Sequence, residues 1–176
     1  MFDLPTYIVL DVPPPASDYI KAMRRRFDPE RADVPVEITI AGSSGLGTIA
    51  AGQRPDLVFR TIADVASKFS PFVSSFLRVK KFRGTGIIYF EPANPLNFIQ
   101  IHFALESSGI LFNPNPFPFT PHCTIRLKKG IRIGEIRESL LMTPPECEFS
   151  LKTISVYSYE NEKMKSKLLY RSYLGC

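Results

Sequence analysis

"FTPHCTIRL", residues 119–127, is the stretch on which the reading of this chain turns. From His122 onward "HCTIRLKK" is rich in β-formers and reads as a strand. Side chains on a strand alternate between its faces. His122, Thr124 and Arg126 therefore share one face, while Cys123 and Ile125 turn to the other, toward a core. An ionisable ring and a hydroxyl stand side by side on an apolar strand, where a polar group needs a partner or a task.

The same device occurs earlier. "VPVEITIAG", residues 34–42, reads as a buried strand whose one face carries Glu37 and Thr39. Val36, Ile38 and Ile40 take the opposite face. The two ionisable-x-Thr strands lie 85 positions apart, from 37 to 122. Each has a proline within two positions before it, and each follows a strand and a helix. This is a weak internal duplication, of the kind two similar lobes produce.

The remaining chain supplies the elements around these strands. "TYIVLDVP" (6–13) is a strand ended by the prolines at 13–15, and "ASDYIKAMRRRFD" a helix with Ser17 near its N-cap. "RPDLVFRTIADVASKF" is a helix with Leu57, Thr61, Val65 and Phe69 at four-residue steps. "PFVSSFLRVKKF" and "GIIYFEP" are two strands joined by the turn at 83–86. "NPLNFIQIHFALESSG" opens on Pro95 and stops at Gly109, a third helix. After "HCTIRLKK" come a short helix around "IGEIRESLLM" and two strand-like runs, "CEFSLKTISVYSYE" and "KLLYRSYLG". Strict βαβ alternation is absent, and no stretch reads as a linker. The expectation is an α+β fold in one domain over 1–176: two pseudo-symmetric lobes, each an antiparallel sheet flanked by helices, with a central cleft.

Composition narrows the classes. Hydrophobic residues make up 44% of the 176, enough for a real core and too many for a disordered chain. No apolar run reaches the length of a membrane span, and "MFDLPTYIVLDVPPP" has no basic leader, so neither a membrane partner nor a signal peptide is expected. Three cysteines, Cys123, Cys147 and Cys176, lack metal-type spacing and read as reduced thiols of a cytoplasmic protein. Two histidines do not make a His-rich metal site. The net charge of +5 suits an anionic partner such as a nucleotide or RNA, although many soluble proteins are this basic without one.

Taken together, "YIVLDVPPP", "GTGIIYFEP", the helix that embeds His102, and "FTPHCTIRL" resemble the two-histidine phosphoesterase superfamily, which includes RNA 2′-5′ ligase-like proteins and cyclic phosphodiesterases. The resemblance spans nearly the whole chain. It implies two His-x-Thr/Ser strands facing each other across a cleft, acting on 2′,3′-cyclic or 2′-5′ phosphodiester bonds without metal or cofactor. Carried over residue by residue, His122 is an acid or base, and Thr39 and Thr124 are phosphate donors. The chain departs from the pattern where Glu37 stands in place of the first histidine. Three readings of Glu37 stay open. With a raised pKa it is a general acid. Ionised, it opposes substrate binding, and either the reaction is lost, which leaves a non-catalytic nucleotide- or RNA-binding protein, or the substrate is changed. Paired with an arginine, it does no chemistry.

Other residues weigh less. His102, in an apolar helix, reads as a packed, hydrogen-bonded histidine. Arg126 either neutralises phosphate or sits beyond the cleft in water. "GSSGLGT" (42–48) lacks the lysine and the following Ser/Thr of an NTP-binding loop and reads as a turn beside the cleft. "MRRR" (23–26) and "KMKSK" (163–167) read as solvated basic faces. Phe112, Phe117 and Phe119 either stack on a base or pin their loop to the core.

Overall fold

The computed structural model describes residues 1–127, 133–160 and 165–176. Its elements are β1 (Thr6–Asp11), α1 (Ala16–Phe27), β2 (Glu37–Ala41), α2 (Pro55–Ala66), β3 (Phe72–Ser74), β4 (Phe76–Lys81), β5 (Ile88–Pro92), α3 (Leu96–Glu106), β6 (Cys123–Arg126), α4 (Ile133–Leu140), β7 (Phe149–Leu151), β8 (Thr153–Glu160) and β9 (Lys165–Tyr173). A single 3-10 turn, Pro29–Arg31, follows α1. The strands form a four-stranded sheet in the order β2-β1-β8-β9, a three-stranded sheet in the order β4-β5-β6, and the pair β3-β7. Neighbouring strands run antiparallel. The mixed, antiparallel α+β architecture expected from the sequence is the one observed.

Strand parity decides which residues enter the core. Ile8 and Leu10 of β1, Ile38 and Ile40 of β2, and Ile154 and Val156 of β8 are buried together beneath Ile20 of α1 and Val58 and Ile62 of α2. Phe90 of β5 and Cys123 and Ile125 of β6 join the same core from the other sheet. The opposite face of the four-stranded sheet is polar. Asp11 stands directly across from Glu37 in the β1–β2 register. It accepts hydrogen bonds from Thr153 and Tyr157 at 2.9 and 3.0 Å, and Arg171 lies 3.2 Å away.

β2 and β6 are each the edge strand of their sheet, and they pack against one another. Arg24 of α1 locks them from behind. Its guanidinium is fully buried and donates to the carbonyls of Val34 (2.8 Å) and Pro35 (3.0 Å), which lead into β2. It also donates twice to the Thr124 carbonyl of β6, at 2.9 and 3.1 Å. "MRRR" is therefore not one solvated face: helix periodicity turns Arg24 inward and leaves Arg25 and Arg26 exposed, the latter paired with Glu138. Of "KMKSK", Lys165, Ser166 and Lys167 lie in β9, and the first two residues fall outside those described, as do the last two of "HCTIRLKK".

Three local expectations change. Pro15, not a serine side chain, occupies the N-cap of α1, and Ser17 is buried in its first turn. In α2 the buried stripe is Val58, Ile62, Val65 and Ala66, and Leu57 is 46% exposed. Uniform steps of four drift around a 3.6-residue helix, so a mixed 3–4 spacing holds one face better. Finally, "PFVSSFLRVKKF" and "CEFSLKTISVYSYE" each break into two strands, at Ser75 and Lys152, because β3 and β7 leave their neighbours to pair with each other.

Candidate functional site

Between the two motif strands lies a cleft of about 350 Å³. β2 contributes Glu37 and Thr39 to its lining, and Tyr7 of β1 and Tyr159 of β8 stand beside them. From the other sheet come His122, which precedes β6, and Thr124 within it. The four residues singled out by strand parity thus share one cavity. Cys123 points away into the core, where burial pushes its thiol up to about 12.

Arg126 does not belong to the lining and is corrected here. The β5–β6 register shifts between Ile88 and Tyr89, and Arg126 is fully buried outside the cleft. Its Nη1 donates to the Gly86 carbonyl at 2.8 Å, and its Nη2 lies 3.5 Å from Glu135. It is therefore neither a phosphate ligand nor a solvated cation.

His122 is held in one tautomer. Its Nδ1 lies 2.6 Å from the Thr120 carbonyl, which can only accept, so the ring proton sits on Nδ1 and Nε2 is bare when the ring is neutral. Phe82 and Tyr89 meet the ring edge-on at 5.0 and 5.4 Å. Burial is the largest cause that lowers the His122 pKa, and the Arg31 charge adds to it against the Thr120 hydrogen bond. The ring is thereby biased toward the neutral, proton-accepting form.

Glu37 is shifted the opposite way. Burial raises its pKa first, and Asp11 across the register adds to the rise. The Thr39 hydroxyl, 2.9 Å from Oε2, opposes it, as do Arg24 and Arg31. Among the described residues no ion pair within 4 Å joins Glu37 to an arginine, which weighs against a purely structural pairing. One cleft thus holds a carboxyl pushed toward its acid form and an imidazole pushed toward its basic form, the pattern of an acid–base pair.

Arg31, Tyr7 and Tyr159 were missed by sequence reasoning. Arg31 enters the lining from the 3-10 turn, where no periodicity points to it. Tyr159 shares the strand parity of Ser155 and Tyr157, a weak signal that could have found it. The Arg31 Nε and the Tyr159 hydroxyl are both buried without a hydrogen-bond partner among the described residues. Burial raises the Tyr159 pKa, so the phenol keeps its proton.

Two loops close the rim. Ser43 and Ser44 of the glycine-rich segment and Phe117, Pro118 and Thr120 of the proline-rich one line the cleft. Gly45 N–H donates to the Phe117 carbonyl at 2.8 Å, and Asn115 Nδ2 to the Gly42 carbonyl at 2.9 Å. Phe119 stacks on His102 at 3.9 Å, and His102 Nδ1 lies 2.8 Å from the Ile40 carbonyl, so both are structural. Phe112 packs on the core. Phe117 alone of the three is exposed, at 65%, and faces the cleft. Gly45 has φ +67°, and a Cβ there would lie 2.3 Å from His102 Cε1. Gly45→Ala should therefore destabilise by roughly 1–3 kcal/mol in thermal melts, more than Gly52→Ala. Gly52, at φ +82°, has open space around it, so equal losses would mean the rim loop yields freely.

Among the described residues, no group of three or more His, Cys, Asp and Glu is placed to hold a metal ion, and no helix is long and apolar enough to cross a membrane. A sequence model of the 2′-5′ RNA ligase superfamily matches residues 12–163. No curated protein sequence gives a significant match. The structure is similar to that of LigT of E. coli crystallised with 3′-AMP, with a TM-score of 0.66 and 17% identity over 98% of this chain and 99% of that one. A crystal structure described as a phosphoesterase gives 0.66 and 19%, with the same coverage. TT0787 of Thermus thermophilus gives 0.65 and 13%, over 98% of each chain. At these identities the likeness is one of fold. LigT has also been crystallised with ATP, phosphate and NADP+.

Proposed function

We propose a function from one premise: the chain belongs to the 2′-5′ RNA ligase superfamily. Its cleft acts on a 2′,3′-cyclic or 2′-5′ phosphodiester of a nucleotide or RNA, using side chains alone. The observation that carries this reading is the opposed bias of Glu37 and His122 across one cavity. Glu37 takes the place of the first motif histidine.

In hydrolysis of a cyclic phosphate, a water oxygen attacks phosphorus while its proton passes to His122 Nε2. The bond from phosphorus to one ribose oxygen breaks, and that oxygen takes the proton of the Glu37 carboxyl. Thr39 and Thr124 donate to non-bridging oxygens. The 2.9 Å contact runs from the Thr39 hydroxyl to Glu37 Oε2, which leaves the acid proton on Oε1 for the leaving oxygen, and Thr39 gives up this bond when it turns to phosphate.

The pH dependence follows from the signs. Turnover needs neutral His122 and protonated Glu37. It falls as pH drops through the lowered His122 pKa, and falls again as pH rises through the raised Glu37 pKa. The expected profile is a bell, measured as hydrolysis of 2′,3′-cyclic nucleotides. Glu37→Gln should cut turnover roughly 100-fold or more, because an amide releases no proton at neutral pH, and should remove the alkaline limb. Glu37→His should retain or raise turnover and move that limb upward. The alternative, a binding protein without catalysis, predicts an inactive wild type whose Gln variant binds phosphate more tightly.

A further inference from the structure

We propose that Arg31 and Tyr159 form an anion subsite on the Glu37 side of the cleft, donating to the non-bridging oxygens of the bound phosphodiester. The inference rests on the function proposed above and names the groups that carry the substrate's charge. Arg31 and Tyr159 both line the cleft, and the Arg31 Nε–H and Tyr159 O–H are buried donors without an acceptor among the described residues. A buried donor without a partner is costly, and native proteins retain one where something else satisfies it.

Glu37 is not that acceptor. Among the described residues it makes no ion pair within 4 Å, its carboxyl leans toward the neutral form, and Thr39 occupies Oε2. A bound ligand can supply the missing acceptor in place of water, and it must be able to take hydrogen bonds from a cation and a phenol together. A phosphate group does so with two oxygens. The placement also suits charge. Arg31 acts electrostatically on both Glu37 and His122 and lines the cleft with them, so its charge would also act on an anion held there. Asp28, the phenols of Tyr7 and Tyr159 and the Cys123 thiol are also coupled to it, together with Arg24 behind the sheet. The cleft thus holds a positive charge for the phosphate it would bind.

The test uses the full chain with inorganic phosphate and 2′,3′-cyclic AMP as probes. Calorimetric titration should show phosphate affinity falling roughly 10- to 100-fold in Tyr159→Phe and at least as much in Arg31→Met. Arg31→Lys should recover part of the loss, since it restores charge without the Nε donor. Without phosphate, Tyr159→Phe should melt no lower than wild type, because it deletes an unsatisfied hydroxyl. Added phosphate should raise the melting temperature of wild type more than that of either variant. A purely structural tyrosine would reverse the first of these, and a lower melting temperature with unchanged affinity overturns the proposal. So does a wild-type chain that binds no phosphate. If wild type turns over cyclic AMP and both variants match it in KM and phosphate affinity, the subsite is wrong and the reaction stands. If wild type is inactive yet phosphate affinity falls in the variants, the reaction is wrong and the subsite stands.

Discussion

His122→Asn is expected to lower hydrolysis of 2′,3′-cyclic nucleotides by roughly 10²- to 10⁴-fold while leaving phosphate affinity within about threefold of wild type. The substitution separates two things the histidine does. Its Nδ1–H holds the Thr120 carbonyl, and in the reaction proposed above its Nε2 is the base. An asparagine amide can keep the first contact but cannot accept a proton at any accessible pH. The loss should therefore fall on kcat. The acid limb of the pH profile should vanish with it, because that limb belongs to His122. The ring is wedged edge-on between Phe82 and Tyr89, so replacement also opens a small void. Thermal melting separates that packing loss from the chemical one. Variant turnover within tenfold of wild type would mean that His122 is a packed histidine and that the base lies elsewhere.

The parts of this molecule legible in its sequence are those governed by a two-residue period. Glu37, Thr39, His122 and Thr124 could be assigned to a shared face because each neighbouring Ile or Cys had to face a core. The same rule failed two residues later. Arg126 has the right parity, yet the register shift between β5 and β6 re-aims it, and a bulge leaves no mark in a single strand's sequence. The splits at Ser75 and Lys152 were invisible for a related reason, since β3 and β7 are recognised only by pairing with each other across the chain. Arg31 could not be read at all. It arrives from a turn, and only the path of the chain after α1 brings it to face Glu37 and His122. Arg24 sat inside a run of arginines whose ordinary fate is water, and helix geometry alone decided which of them is buried.

Arg24→Met is expected to be the most destabilising single change in the chain that leaves its side-chain length intact, on the order of 3 kcal/mol or more. Two effects compete. Deleting a buried guanidinium removes the cost of keeping a charge from water, and replacing a whole buried ion pair with apolar groups is often neutral for that reason. Here that compensation is out of reach, because the partners are backbone carbonyls and no substitution removes them. Met would leave the buried oxygen of Val34 and the part-buried oxygens of Pro35 and Thr124 without the donor that now satisfies them. Each orphaned carbonyl costs roughly 1–3 kcal/mol, which outweighs the relief. For a chain of this size the melting temperature should fall by about 6–12 °C. Arg24→Lys should lie between, since one ammonium keeps the charge but cannot reach all three oxygens from one point. The same contacts couple stability to chemistry. They tie the run-in to β2, which carries Glu37, to the carbonyl of the residue two beyond His122. Well below its melting temperature, the Met variant should therefore still lose kcat, as the acid and the base no longer hold one separation. A Met variant that melts within about 2 °C of wild type would show that the three carbonyls find other donors, and that Arg24 does not set the width of the cleft.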